Sequence, residues 1–317
     1  MRRGESGISC LVGIDKPVGP SSHDVVSTVR RALGERRVGH AGTLDPLASG
    51  VLVVGVGQAT RLMGLLTLDD KEYVASVRLG IETTTDDAEG EVVRRGDVPP
   101  EYADEECART HIRGLVGSFE QVPPAFSAIS VDGTRSYARA RAGETVELAP
   151  RPVVIYEAEL LKVDASEGIS WTMRLRVSKG TYVRSIARDL GRSLGCGAHL
   201  SGLRRTASGC IDVEACIELA ELCDVGPALA LARCIDPVRA TGMPLRWLSD
   251  GELADVRCGR RIELGTIHDV HGAKQQLGEG QRACLVGNQR LYGVWERRAG
   301  MLSSVATFPE GVVGVRV

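Results

Sequence analysis

Hydrophobic and polar positions alternate most cleanly in two stretches of this chain. In residues 71–79, Tyr73, Ala75, Val77 and Leu79 fall on one face; in 169–177, Ile169, Trp171, Met173, Leu175 and Val177 do the same. A period of two over such lengths predicts half-buried strands. Two shorter apolar runs, 11–14 and 51–56, read as a strand and a buried strand. Helical spacing appears at Val25, Val26, Val29 and Leu33, with Ser21 or Ser22 as the cap and Gly34 as the stop. It appears again at Val183, Ile186, Leu190 and Leu194, ending at Gly195. Acidic helices are expected around 213–223 and 227–234. Beyond Pro244 the pattern breaks into short β-like pieces, 283–286, 291–295, 304–308 and 312–317, separated by glycines. This predicts a mixed α/β (α+β) chain with a boundary near 240–244: a large domain over 1–240 and a small β-rich one over 244–317.

Composition narrows the class. The chain has 317 residues, 43% hydrophobic and 25% charged, as ordinary globular proteins do. Its formal net charge of -2 does not advertise a polyanion partner. The charge is uneven, however. Between residues 174 and 205 eight basic residues (174, 176, 179, 184, 188, 192, 204 and 205) stand against one acid, Asp189, a local +7. Arg135, Arg139, Arg141 and Arg151 lie in the weakly patterned stretch 121–151, a surface excursion that extends the patch. The nine cysteines show no C-x-x-C pair, so they read as reduced and mostly buried thiols. No signal-peptide pattern or membrane-length apolar run occurs, which points to a soluble cytoplasmic protein.

Asp45 stands in the stretch Gly39-His40-Ala41-Gly42-Thr43-Leu44-Asp45-Pro46, read as a loop between a helix and a buried strand. Loops of this kind deliver side chains to clefts, although an Asp-Pro step also simply initiates turns. The longer string from Gly39 to Leu52 closely resembles the catalytic motif of the TruB family of pseudouridine synthases. Asp15-Lys16-Pro17-Val18-Gly19-Pro20-Ser21-Ser22, Lys71-Glu72-Tyr73 and Val177 through Ile186 resemble its other motifs, followed by residues 195–200 and Leu203-Arg204-Arg205. These blocks keep the family's order over most of residues 11–208.

The resemblance implies a pseudouridine synthase fold, with a mixed, largely antiparallel sheet and flanking helices. It also implies a small PUA-like RNA-binding domain over 244–317, and isomerisation of uridine 55 in the T loop of tRNA. The reaction breaks an N–C glycosidic bond, turns the base and joins C5 to the sugar, so it needs an ionised carboxylate near sugar and base. Asp45 is the implied carboxylate, with Arg184 paired to it. Tyr73 is implied to stack on the target base, as the third catalytic residue. His40 would fill the gap beside the flipped nucleotide; Tyr182 and Leu203 would line the uracil pocket. Lys16, Lys179, Arg204 and Arg205 complete the substrate contacts. By their spacing every four residues along the helix, Arg188 and Arg192 are expected to face water or phosphate; the resemblance makes 121–151 an RNA-gripping insertion. The family's P-P-x-Y-S-A-L-K reads here Pro123-Pro124-Ala125-Phe126-Ser127-Ala128-Ile129-Ser130, without the lysine. No cofactor, metal or guide RNA is expected, and the implied state is a monomer. Two other classes bear comparison: an RNA-binding protein that grips the T arm without chemistry, and a hydrolase that releases uracil.

Overall fold

The computed structural model describes residues 6–67, 70–126, 130–131, 134–135 and 148–316. The first strand, β1 (Cys10–Lys16), leads to helix α1 (Ser22–Leu33). Ser21 caps α1 in a reciprocal box: its Oγ accepts from Asp24 N at 3.2 Å, while Asp24 Oδ2 accepts from Ser21 N at 2.9 Å. Gly34 ends it with φ at 60°. Next come β2 (Val38–Ala41), β3 (Ala48–Val56) and β4 (Lys71–Leu79). Helix α2 (Glu105–Arg113), capped by Asp104, precedes β5 (Gly117–Gln121), β6 (Arg151–Asp164) and β7 (Ser170–Val177). Helix α3 (Val183–Ser193) and β8 (Ala198–Ser208) follow. The C-terminal region holds β9 (Leu245–Trp247), α4 (Asp250–Arg257), β10 (Arg282–Gly287), β11 (Arg290–Arg298) and β12 (Met301–Val313).

The chain folds as two compact units. The first gathers the residues up to 46, 50–69 and 207 onward; the second holds 47–49 and 70–206. In the first unit β1 runs antiparallel to β3 and parallel to Ile217–Glu218, with β2 antiparallel to β3. A seven-stranded sheet carries β12, β11, β10 and β9 in adjacent positions, antiparallel except for the β9–β10 pair. One apolar core joins Leu11, Val51 and Val53 to Leu245, Cys284, Phe308 and Val312, so the β-rich C-terminal residues do not stand apart from the N-terminal strands. A second core, under α4, gathers Val256, Trp295 and Leu302.

The second unit orders its strands β8-β4-β7-β6-β5. The two alternating stretches pair antiparallel, with Tyr73 opposite Leu175 and Val77 opposite Trp171. The faces predicted to be buried are buried: Ala75, Trp171, Met173 and Leu175 are closed to solvent. Trp171 Nε1 donates to Tyr102 O at 2.8 Å, which satisfies the one polar atom of that side chain. Helix α3 lies very close to β8. A Cβ at Gly191 would sit 2.1 Å from Ala198 N.

Some elements differ from the sequence pattern. Residues 213–215 form a single 3-10 turn and Ile217–Glu218 pair with β1, so the expected acidic helix shrinks to Leu219–Val225. The piece at 304–308 and the start of that at 312–317 belong to one strand, β12, which continues through Pro309 and ends at Val313. His40 belongs to β2 rather than to a loop: Val38 and Ala41, both buried, pair it antiparallel to β3. Arg139, Arg141, the side chain of Arg135 and, in the lysine-less motif, Ser127 to Ile129 and the side chain of Ser130 fall outside what is described. Cys10, Cys196, Cys216, Cys234 and Cys284 are buried, and burial pushes the Cys10 and Cys284 thiols up to about 12, far from reactive thiolates.

Candidate functional site

In the first unit the segment bearing Asp45 is tied to α1 and to the turn after β1. Ser22, just inside the helix, uses its single hydroxyl twice: Leu44 N donates to it at 2.8 Å, and it donates to Leu44 O at 2.9 Å. On the other side, Pro46 O accepts from Gly19 N at 2.9 Å and from Lys16 Nζ at 3.5 Å. Both neighbours of Asp45 are thereby held by the chain, while Asp45 itself is half-buried between β2 and β3. Holding the flanking peptides fixes the backbone from which the carboxylate projects, which is the pre-organisation that catalysis needs.

Lys16 is fully buried, and its ammonium also donates to Pro17 O at 2.9 Å. A cation in that position shapes the turn; it does not reach a phosphate in solvent. Two sequence alternatives are resolved here, since Ser21 takes the cap and Ser22 takes Leu44. His40 is half-buried on β2, opposite Val54 of β3.

In the second unit helix α3 carries the remaining candidates. Its cap residue, Tyr182, makes no side-chain cap bond. The cap's backbone is instead gripped by Gln121, at the end of β5. Tyr182 N donates to Gln121 Oε1 at 2.8 Å, and Gln121 Nε2 donates to Tyr182 O at 3.1 Å. Ser185 Oγ and Arg188 Nη2 both donate to Val122 O, at 2.9 and 2.8 Å, and Arg184 Nη2 donates to Phe126 O at 3.0 Å. The residues 121–126 are thus strapped along the start of α3. Gln121, only 1% exposed, was invisible to periodicity.

The arginines of α3 meet acids from a distant turn. Arg184 Nη1 donates to Thr85 O at 3.2 Å and lies 3.6 Å from Asp87 Oδ2. Arg188 Nη1 reaches Asp86 Oδ2 at 2.9 Å, and its Nε reaches Asp189 Oδ1 at 2.8 Å. Burial pushes the Asp86 carboxyl above its ordinary value, against the pull of Arg188, Arg184 and Arg192. Arg188 therefore does not face water or phosphate as its spacing suggested; it is a buried partner of Asp86. Along β7, Arg174 pairs with Glu159 and Arg176 with Glu157 and Asp70. The local +7 is thus partly neutralised by acids from elsewhere in the chain, while Arg174, Arg176, Lys179 and Arg192 remain exposed.

Tyr73 is 8% exposed on β4, and Leu203 and Arg204 are half-buried on β8. Arg204 Nη1 donates to Ser49 Oγ at 3.3 Å. Arg205 is 1% exposed, among the largest fully buried side chains, and so cannot hold an RNA backbone from the surface. Of Lys16, Lys179, Arg204 and Arg205, Lys179 alone is exposed, in the turn before α3; Arg192 is exposed as well. Among the described residues no cluster of His, Cys, Asp or Glu has the make-up of a metal site, and no helix is long and apolar enough to cross a membrane.

The chain matches the TruB family pseudouridylate synthase N-terminal domain over residues 30–183, and the tRNA pseudouridylate synthase B C-terminal domain over 184–241. It is similar to the tRNA pseudouridine synthase B of Thermobifida fusca (strain YX), with 50% identity over 257 residues, 80% of this chain and 86% of that protein. With the tRNA pseudouridine synthase B of Leifsonia xyli subsp. xyli the identity is 43% over 303 residues, 95% and 97% of the two chains. Among solved structures, an H/ACA RNP bound to a substrate RNA containing 2'-deoxyuridine contains a chain of 26% identity. It aligns with a TM-score of 0.66 over 95% of this chain and 85% of that one.

Proposed function

The chain belongs to the TruB family and is a pseudouridine synthase, and from that premise we propose that it isomerises uridine 55 in the T loop of tRNA, without a guide RNA. The observation that carries this reading is the extent of identity to proteins named tRNA pseudouridine synthase B, which spans nearly the whole chain.

Asp45 is the catalytic carboxylate in this proposal, presented on a backbone held at Leu44 and Pro46. Tyr73 and Arg184 complete the catalytic set; His40 stacks beside the extruded nucleotide, and Tyr182 and Leu203 flank the uracil. Lys179 and Arg204 contact the RNA. The burial of Lys16 and Arg205 gives them a supporting part, fixing the turn after β1 and the strand β8. Extruding the base costs a few kcal/mol of stacking and pairing, which contacts to the flipped nucleotide must return. The N1–C1′ bond then breaks, C5 joins C1′, the proton on C5 leaves and N1 takes one up, so the RNA keeps its mass. Residues 1–240 supply this chemistry and 244–317 act as a PUA-like RNA-binding region. The protein works as a cytoplasmic monomer.

The test is tritium release from an unmodified tRNA transcript labelled at uridine C5. Wild type is expected to release one equivalent, lost when the T-loop uridine is replaced and lost in Asp45→Asn. Free uracil in the supernatant would favour base release over isomerisation. Tight binding with no release would leave an RNA-binding protein.

A further inference from the structure

A cavity of about 690 Å³ opens in the first unit between residues 210–240, Val270–His271 and Arg316. Its floor is apolar, with Ile211, Ile235 and Val270 among the lining. Three arginines are among the lining residues, Arg233, Arg239 and Arg316, each of them exposed.

The electrostatic condition of these arginines sets the cavity apart from α3 and β7, where acids face the guanidiniums. Arg233 Nη2 donates only to main-chain carbonyls, Glu214 O at 3.4 Å and Cys216 O at 3.3 Å. Arg316 Nη2 donates to Cys234 O at 3.1 Å. Among the described residues none of the three is paired with a carboxylate. Two acids belong to the lining, and among the described residues neither forms an ion pair with them. Asp236, 7% exposed, accepts from the backbone N–H groups of Val238, Arg239 and Arg316 at 2.8, 3.3 and 2.7 Å. Glu214 is exposed and offers Arg233 its carbonyl, not its carboxylate.

Three arginines without an ion-pair partner, beside apolar lining, suit a phosphate attached to a larger, partly apolar group. Guanidinium donors match phosphate oxygens in pairs, and each contact releases condensed counterions. The volume exceeds what a bare ion would fill, and the floor offers a face to a ribose or base. In a chain of net charge -2, affinity for a polyanion has to come from places where basic side chains are left unneutralised. We propose that this cavity is a second RNA-binding site, in which Arg233, Arg239 and Arg316 take a phosphodiester of the substrate RNA. The identity of that RNA as tRNA rests on the reading given above; the anion chemistry of the cavity does not.

The experiment uses the full chain and its Arg233→Gln/Arg239→Gln variant, whose exposed side chains can be exchanged without opening the core. The dissociation constant of an unmodified tRNA transcript is measured by anisotropy from low to moderate KCl, together with kcat and KM for tritium release. Each phosphate contact contributes roughly 0.7–0.9 to the slope of log Kd against log salt, so the double variant is expected to lose up to about 0.9 of slope. The loss falls on KM rather than kcat. An unchanged affinity and slope in a variant with wild-type melting would overturn the proposal. So would a result in which only the binding of free uridine monophosphate is lost, since that would make the cavity a mononucleotide site. If the wild type binds tRNA with the expected slope but releases no tritium, the site stands and the isomerase reading on tRNA falls.

Discussion

Gln121 and Tyr182, 61 residues apart, are joined by a pair of hydrogen bonds in which one side-chain amide satisfies both the N–H and the C=O of one peptide residue. The amide does for the start of α3 what a neighbouring strand would do. It sets the point at which Tyr182 leads into the helix and Arg184 follows, and therefore the aim of two candidate side chains at once.

Replacing Gln121 by Ala removes both of these bonds, at about 0.5–1.5 kcal/mol each, while Tyr182 O keeps its bond from Ile186 N at 3.2 Å. The variant is expected to fold with a lowered melting temperature and a kcat reduced more than its tRNA affinity. Gln121→Glu keeps the acceptor for Tyr182 N but sets an oxygen against Tyr182 O. Its kcat relative to wild type should therefore be higher at pH 5.5 than at pH 8, where the new carboxylate is ionised. An Ala variant with unaltered kcat would show that this grip is only structural.

Ser22 is expected to matter for turnover and little for helix formation, because Ser21 holds the cap. Ser22→Ala removes the bonds to both sides of Leu44, beside Asp45. Single-turnover rates should fall about tenfold or more, corresponding to about 1.4 kcal/mol or more in the barrier, with tRNA binding nearly unchanged. Ser21→Ala should do the reverse, costing about 1 kcal/mol of stability while sparing the rate.

Breaking the Arg188–Asp86 pair by Arg188→Met takes the charged donor from a half-buried carboxylate, at about 1–3 kcal/mol. Adding Asp86→Asn should recover part of the loss. Asn also tolerates the left-handed backbone of that position, where φ is 60°. Urea unfolding of the two single variants and the double closes the cycle; strict additivity would mean that the two side chains do not couple.

Gly191→Ala is expected to destabilise the second unit despite the better helix propensity of alanine. The added methyl would meet Ala198 N at 2.1 Å and Ala198 Cβ at 2.4 Å, so helix and strand must separate. Overpacking of this kind costs about 1–3 kcal/mol, readable as a lower midpoint in thermal unfolding. A gain in stability would show that α3 can move away from β8 at little cost.

Acid should weaken the C-terminal sheet through Glu252. Its bond from Arg246, aided by Ser249, holds the carboxyl at about 2, below the ordinary 4.5. A depressed carboxyl contributes stability that is present above pH 4.5 and is lost as the pH falls towards 2. Glu252→Gln should be less stable at neutral pH and show a shallower decline across that window, measured by urea midpoints at successive pH values.

Much of the fold could be read from the sequence because it was written in side-chain period. Tyr73 to Leu79 and Trp171 to Val177 declared both their strands and their buried faces. The motif around Asp45 declared a site by its length, although not that Ser22 would hold it. The arginines of α3 misled for a physical reason. Charge counted along the sequence omits the acids that folding brings up, and Asp86 lies 102 residues before Arg188. Gln121 gave no signal at all, since a lone glutamine before Val-Pro-Pro has neither period nor charge. The merging of the last two β pieces reflects a strand that tolerates Pro309, which a local reading takes as a break.

The division of the chain also orders events during synthesis. Nearly all of the second unit, residues 70–206, is encoded in one block, whereas the first needs both ends of the described chain; Val313 N donates to Ser9 O at 2.9 Å. At about 5–20 residues per second, the ribosome leaves β1 and β3 waiting several seconds or more after the middle block has emerged. During that interval their apolar faces lack the cover that β12 provides. The nascent chain is then at its most vulnerable to chaperone capture or proteolysis, and lesions near Phe308 and Val312 should reduce yield in the cell before they touch activity.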